Sequence, residues 1–195
     1  AWMKRTLPPL IDALGPRADI VLGGGAQWFA DLSKVPGGAY KPGDLKVVQS
    51  TQARLAKSNV AAFTDWNAFT AHVAKGGDGR PVLGTFYPYV FPFYADGPRI
   101  PRLADLTVAA VKFLNAKKRP FFLMVEAALP DKACHLGNAK RAIGEVLELD
   151  NMLQALRKNL PPRTLLLVTT DHNNGGLAIN GPPVPLATRG DALLG

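Results

Sequence analysis

Apolar residues along this chain fall into short continuous runs separated by longer amphipathic stretches, the pattern of buried strands alternating with helices. Asp19-Ile20-Val21-Leu22 reads as a strand running into Gly23-Gly24-Gly25, and Ala26–Leu32 as helical. A second strand is expected around Val47-Val48, with a helix near Gln52–Lys57. Ala61-Ala62-Phe63 reads as another short strand, and Asp65–Ala74 as a helix with Asp65 near its N-terminus. After the turn Gly76-Gly77-Asp78-Gly79, Pro81–Phe86 is expected to be a strand, and Tyr87–Pro101, rich in Pro and aromatics, an irregular loop.

Further along, Leu103, Leu106, Ala110, Phe113 and Leu114 mark one face of a helix over Leu103–Ala116. Phe121–Val125 and Thr164–Thr169 read as continuously apolar strands, as in a sheet covered on both faces. Between them His135–Lys158 predicts one long helix with Ile143, Val146, Leu147, Met152, Leu153 and Leu156 as its apolar stripe, stopped by Pro161-Pro162. The alternation predicts an α/β fold with a mainly parallel central sheet flanked by helices. No internal repeat or boundary interrupts it, so residues 1–195 are read as a single domain.

Composition changes this picture little. At 47% hydrophobic and 19% charged the chain is ordinary for a globular protein. Nothing approaches the roughly 20 apolar residues of a membrane span, and no secretion signal is visible before Pro8-Pro9. One cysteine, Cys134, excludes an internal disulfide and a multi-cysteine zinc site. A net charge of +8 draws anions such as phosphate esters. The basic residues are scattered and no RNA-binding or zinc-finger signature is present, so nucleic acid is not an expected partner.

The candidate chemistry sits at two strand ends, where open α/β sheets collect ligands. Glu126 directly follows Phe121–Val125, and Asp171-His172 directly follows Leu165–Thr170. Asp131 and His135, four residues apart, share one face of a helical turn. Carboxylates and imidazoles together suit zinc, with magnesium favouring the oxygen-rich part. An Asp-His pair after a strand also reads as a capping aspartate and a hydrogen-bonded histidine. Gly23–Gly25 reads as a tight turn that lets backbone pack closely, because Trp28 stands where a dinucleotide fingerprint needs glycine. The aromatic loop Phe86–Tyr94 either shapes a substrate mouth or packs on its own domain, and Arg189-Gly190-Asp191 reads as a coincidental adhesion tripeptide.

The segment from Met124 to His135 resembles the alkaline phosphatase segment in which Glu, Asp and His recur at these spacings. Val168–Leu177 resembles the family's Asp-His strand end, and Ala18–Phe29 its strand-and-glycine segment. The resemblance runs from about Ala18 to Gly176 and implies a phosphomonoester hydrolase whose two zinc ions and one magnesium support a phosphoserine intermediate. It implies that Glu126 binds magnesium, that Asp131 and His135 bind the zinc activating the hydrolytic water, and that Asp171 and His172 bind the zinc activating the nucleophile. Lys132 matches a position near the bound phosphate. A homodimer and a periplasmic or extracellular setting are also implied.

The chain departs from the family pattern in several places. Ser33, Ser50 and Ser58 are its serines and none stands in an Asp-Ser-Ala-type context, so no catalytic nucleophile is identified. No His follows His172; Ile179 or Asn180 stands about where the family's third zinc histidine precedes a segment like Val184-Pro185-Leu186. Ala127-Ala128 replaces a Gly-Gly, and Pro130 precedes Asp131. These departures leave open a fragment or shortened form of the enzyme, a chain completed by a second polypeptide, or a non-catalytic metal- or phosphate-binding paralogue.

Overall fold

The computed structural model describes residues 9–29 and 45–174. In chain order its elements are β1 (Ile20–Gly23), a 3-10 turn (Ala26–Trp28), α1 (Leu45–Lys57), β2 (Ala61–Phe63), α2 (Trp66–Ala74) and β3 (Val82–Thr85). A second 3-10 turn (Tyr94–Asp96), α3 (Leu103–Ala116), α4 (Leu129–His135) and α5 (Ala139–Asn159) follow. The chain divides into two compact units, one of Ala1–Phe91 with Val108–Phe122, the other of Pro92–Thr107 with Leu123–Gly195.

The first unit is built on a three-stranded parallel sheet of order β1-β3-β2, with Ile20 and Ala61 both in register with Val82. Parallel neighbours require crossover connections, and the helices that provide them make this the expected α/β arrangement. The central strand β3 is buried along its whole length. Around Leu83 pack Ile11, Leu14, Leu55 and Val60, each such side chain contributing roughly 1.5–3 kcal/mol by leaving water. Asp65 caps α2 by accepting from the Ala68 N–H at 2.7 Å. The aromatic loop packs on its own unit at Phe86, whose ring meets Trp66 and Phe69.

Val47 and Val48, expected in a strand, lie in α1. Val47, Val48, Thr51 and Leu55 are buried together, which is helical spacing, so this periodicity outweighs the β-branched pair. The expected helix after the glycine triplet is a single 3-10 turn within the described residues; Ala30–Leu32 lie outside them.

In the second unit, the helix expected from His135 is broken. α4 ends at His135, Gly137 adopts φ 63°, and Asn138 starts α5 by accepting from the Arg141 N–H at 3.0 Å. The expected stripe holds at its C-terminal end, where Met152 and Leu156 are buried, but Ile143, Val146 and Leu147 are exposed and Glu145 and Glu148 are buried in their place. Two arginines explain the exchange. Arg99 pairs with Glu145 at 3.1 Å and with Glu148 at 3.6 Å, and Arg102 ion-pairs with Glu148. The carboxylates also accept backbone N–H groups, Glu145 from Tyr94 at 2.6 Å and Glu148 from Leu103 at 3.1 Å. Buried carboxylates are tolerated only when paired in this way, and the Glu148 contact raises the Arg102 pKa. Gly144 completes the fit, because a Cβ there would come within 3.1 Å of Ala95.

Phe121–Val125 and Thr164–Thr169 do not form the buried strands their composition predicts. Neither pairs with another strand among the described residues. Phe122 is 89% exposed, Met124 75%, Leu165 79% and Leu167 78%. An apolar run becomes a covered strand only when a neighbour supplies hydrogen-bond partners on its edge and apolar side chains on its face; the described residues supply no edge partner here, and they leave Phe121, Leu123 and Val125 half-buried and Leu165–Val168 exposed.

Candidate metal centre

Asp131 and His135 lie on α4, a short helix with Pro130 in its first turn, where a proline's missing N–H costs no hydrogen bond. One helical turn brings Oδ1 of Asp131 to 3.5 Å from Nε2 of His135, the shared face that their spacing predicts. His172 arrives from the segment after α5, its Nε2 4.0 Å from the same Oδ1 and 3.3 Å from Oδ2 of Asp171. A hydrogen-bond contact of 3.1 Å between His172 Nδ1 and the Asn173 carbonyl orients the ring. That contact, followed by the Asp171 and Asp131 charges, raises the imidazole pKa above 6.5.

His135 and His172 therefore both come within 4.0 Å of Asp131, and Asp171, largely exposed, joins them, among the described residues, only through His172. The fifth expected ligand, Glu126, is exposed and takes no hydrogen bond or ion pair among the described residues. Lys132 and Cys134 are exposed on α4 beside Asp131 and His135. Asp131 Oδ1 is buried without a hydrogen-bond partner. A buried carboxylate oxygen lacking a donor and facing two imidazole nitrogens fits a divalent cation in donor type. Among the described residues, however, no group of three or more His, Cys, Asp or Glu side chains is drawn together tightly enough to hold one.

The remaining expectations fall elsewhere. Hydroxyls of Ser50 and Ser58, in or beside α1, donate to the Val47 and Leu55 carbonyls at 2.8 and 2.7 Å. Ser33, Ile179, Asn180, Val184-Pro185-Leu186 and Arg189-Gly190-Asp191 lie outside the described residues. The glycine triplet is the close-packed turn its composition predicts: Gly25 has φ 84°, and a Cβ on Gly24 would lie 2.2 Å from the Tyr89 carbonyl oxygen. That His172 meets Asp131 accords with the expectation that residues at the two strand ends share one crevice, although the whole of α5 separates them in sequence. The Arg99–Glu145–Glu148–Arg102 network, which the sequence does not signal, serves packing rather than chemistry.

Comparison with known proteins gives the family and the fold. The alkaline phosphatase family model matches residues 6–192. An alkaline phosphatase of Escherichia fergusonii is 29% identical over 184 residues, covering 82% of this chain and 37% of the relative. Alkaline phosphatase H of Pseudomonas aeruginosa is 30% identical over 196 residues, covering 87% and 39%. The chain thus spans little more than a third of the length of these relatives. A cold-active alkaline phosphatase from the psychrophile Shewanella sp. superposes with a TM-score of 0.58 at 19% identity, covering 80% of this chain and 33% of that one, which shows the shared fold. The chain belongs to the alkaline phosphatase family.

Proposed function

We propose that this chain is the metal-ligand-bearing part of a phosphomonoester hydrolase of alkaline phosphatase type. The observation that carries the reading is the buried, unpartnered Oδ1 of Asp131 between His135 and His172 in a chain of that family. In this reading Asp131 and His135 hold one zinc, Asp171 and His172 a second, and Glu126 a magnesium. Bound divalent ions would supply Lewis-acid polarisation of the phosphoryl group and a nucleophile active near neutral pH. Lys132, exposed beside Asp131, offers an ammonium to the phosphate. The net charge of +8 favours arrival of an anionic ester.

The serine hydroxyls of α1 and its C-terminal edge are held by carbonyls, so the nucleophile is assigned to a segment outside these residues. A family match that runs through both compact units supports reading them as parts of one domain. No helix among the described residues is long and apolar enough to cross a membrane, and we place the enzyme in the periplasm or outside the cell, as a homodimer or with a completing chain.

The test is hydrolysis of p-nitrophenyl phosphate at alkaline pH, with zinc and magnesium, by the assembly that contains this chain. Turnover that is lost in Asp171→Ala supports the assignment. Turnover that survives Asp171→Ala removes this chain from the chemistry.

A further inference from the structure

α4 has seven residues, too few for a helix to hold its shape unaided, and it carries both Asp131 and His135. The His135 side chain is 73% exposed, so its placement follows the backbone beneath it rather than packing around the ring. Ala133, fully buried between the two, anchors the helix at one point. A second constraint lies at the C-terminus. The Gly137 N–H donates to the Cys134 carbonyl at 2.9 Å and the Asn138 N–H to the Ala133 carbonyl at 3.1 Å, with Gly137 at φ 63°, the paired closure of a helix end. Asn138 thereby closes α4, and it also opens α5. Its side-chain oxygen accepts the Arg141 N–H at 3.0 Å and its carbonyl accepts the Ala142 N–H at 3.0 Å. One residue, at φ −101° and ψ 94°, is both the last clasp of one helix and the cap of the next.

We infer that Asn138 is a positioning residue for the candidate metal centre, its side-chain cap fixing the angle at which α4 presents Asp131 and His135. The inference rests on the metal reading proposed above. α5 is the fixed reference, because Glu145 and Glu148 tie it to Arg99 and Arg102. His135 stands three residues before Asn138 and Asp131 seven, so a backbone rotation at Asn138 carries imidazole and carboxylate together. It thereby changes their placement against His172, which reaches Asp131 from beyond the other end of α5 in sequence. The Asn138 side chain opposes that rotation, since its bond to Arg141 holds the extended backbone a helix cap requires. An aspartate at this position keeps the acceptor oxygen, and an alanine removes it.

Zinc binding to the full chain, measured by calorimetry beside Asn138→Ala, Asn138→Asp and Asp65→Ala, separates positioning from stability. Asp65 caps α2, which bears no candidate ligand, so Asp65→Ala removes a comparable cap without touching this centre. Affinity is expected to fall about tenfold or more in Asn138→Ala, as it does when other groups that orient metal ligands are lost. Asn138→Asp and Asp65→Ala are expected to bind zinc as the parent does. In the metal-free chain, Asn138→Ala is expected to speed hydrogen exchange of the Gly137 and Asn138 amides. Unchanged zinc affinity in Asn138→Ala would overturn the inference and leave the metal reading standing. An equal loss in Asp65→Ala would overturn it in favour of general destabilisation. A loss in Asn138→Asp as large as that in Asn138→Ala would show that the acceptor is not the cause, and unchanged exchange at 137 and 138 that the cap does not hold the junction; either overturns it. A parent chain that binds no zinc would overturn the metal reading itself, and the inference with it.

Discussion

Oδ1 of Asp131 lies 4.0 Å from Nε2 of His172, although the whole of α5 separates them in sequence. The oxygen is buried and has no hydrogen-bond partner, a state that costs about 1–3 kcal/mol, and the His135 and His172 rings at 3.5 and 4.0 Å offset part of that cost electrostatically. Replacing it should therefore be nearly free in the metal-free protein. Asp131→Ala is expected to change stability in EDTA by no more than about 0.5 kcal/mol, or to raise it. Urea denaturation measures this, and a loss of several kcal/mol would identify Asp131 as a packing residue.

Glu148 is the opposite case. It is fully buried, faces Arg99 and Arg102, and accepts the Leu103 N–H at the start of α3. Glu148→Ala leaves the buried Arg99 with one carboxylate fewer and should destabilise the protein by about 3–5 kcal/mol. Denaturant unfolding of the variant checks the figure. Loss below about 1 kcal/mol would mean that water replaces the carboxylate without penalty.

How far the sequence revealed this protein depended on whether the deciding neighbour was local. Asp65 as a cap, the turn at Gly76–Gly79 and the Asp131–His135 pair each follow from contacts within a few residues, and each stands as the sequence predicts. On α5 the expected burial of Met152 and Leu156 holds, but toward its N-terminal half Arg99 and Arg102, far upstream, decide that Glu145 and Glu148 face inward in place of Ile143, Val146 and Leu147. Phe121–Val125 and Thr164–Thr169 have strand composition without a strand neighbour, and composition cannot report whether a neighbour is present.

Gly24 lies against the Tyr89 carbonyl, where a Cβ would approach to 2.2 Å. Contact with backbone leaves no flexible side chain to move aside. Gly24→Ala should cost about 1–3 kcal/mol or more, with the melting temperature falling accordingly. A variant as stable as the parent would show that the 87–90 loop is free to shift.

Arg54 donates to both carboxylate oxygens of Asp12, at 2.8 and 2.5 Å, and these hydrogen bonds, aided by the arginine's charge, hold the Asp12 pKa below its ordinary 3.8. A depressed carboxylate stabilises the fold above its unfolded pKa and loses that contribution as pH falls through the folded one. The effect is therefore confined to acid below pH 3.8, and neutral pH leaves it intact. Carbon-13 titration of the carboxyl should show Asp12 protonating late, and Arg54→Gln should return it toward 3.8. An unchanged titration in Arg54→Gln would contradict this.

Zinc titration of the full chain, followed by calorimetry beside Asp131→Ala and His172→Ala, tests the metal centre most directly. Saturable binding that weakens about tenfold or more in each variant is the predicted result, since even residues behind a metal's own ligands cost that much when lost. No saturable binding, or binding indifferent to both substitutions, would contradict the account.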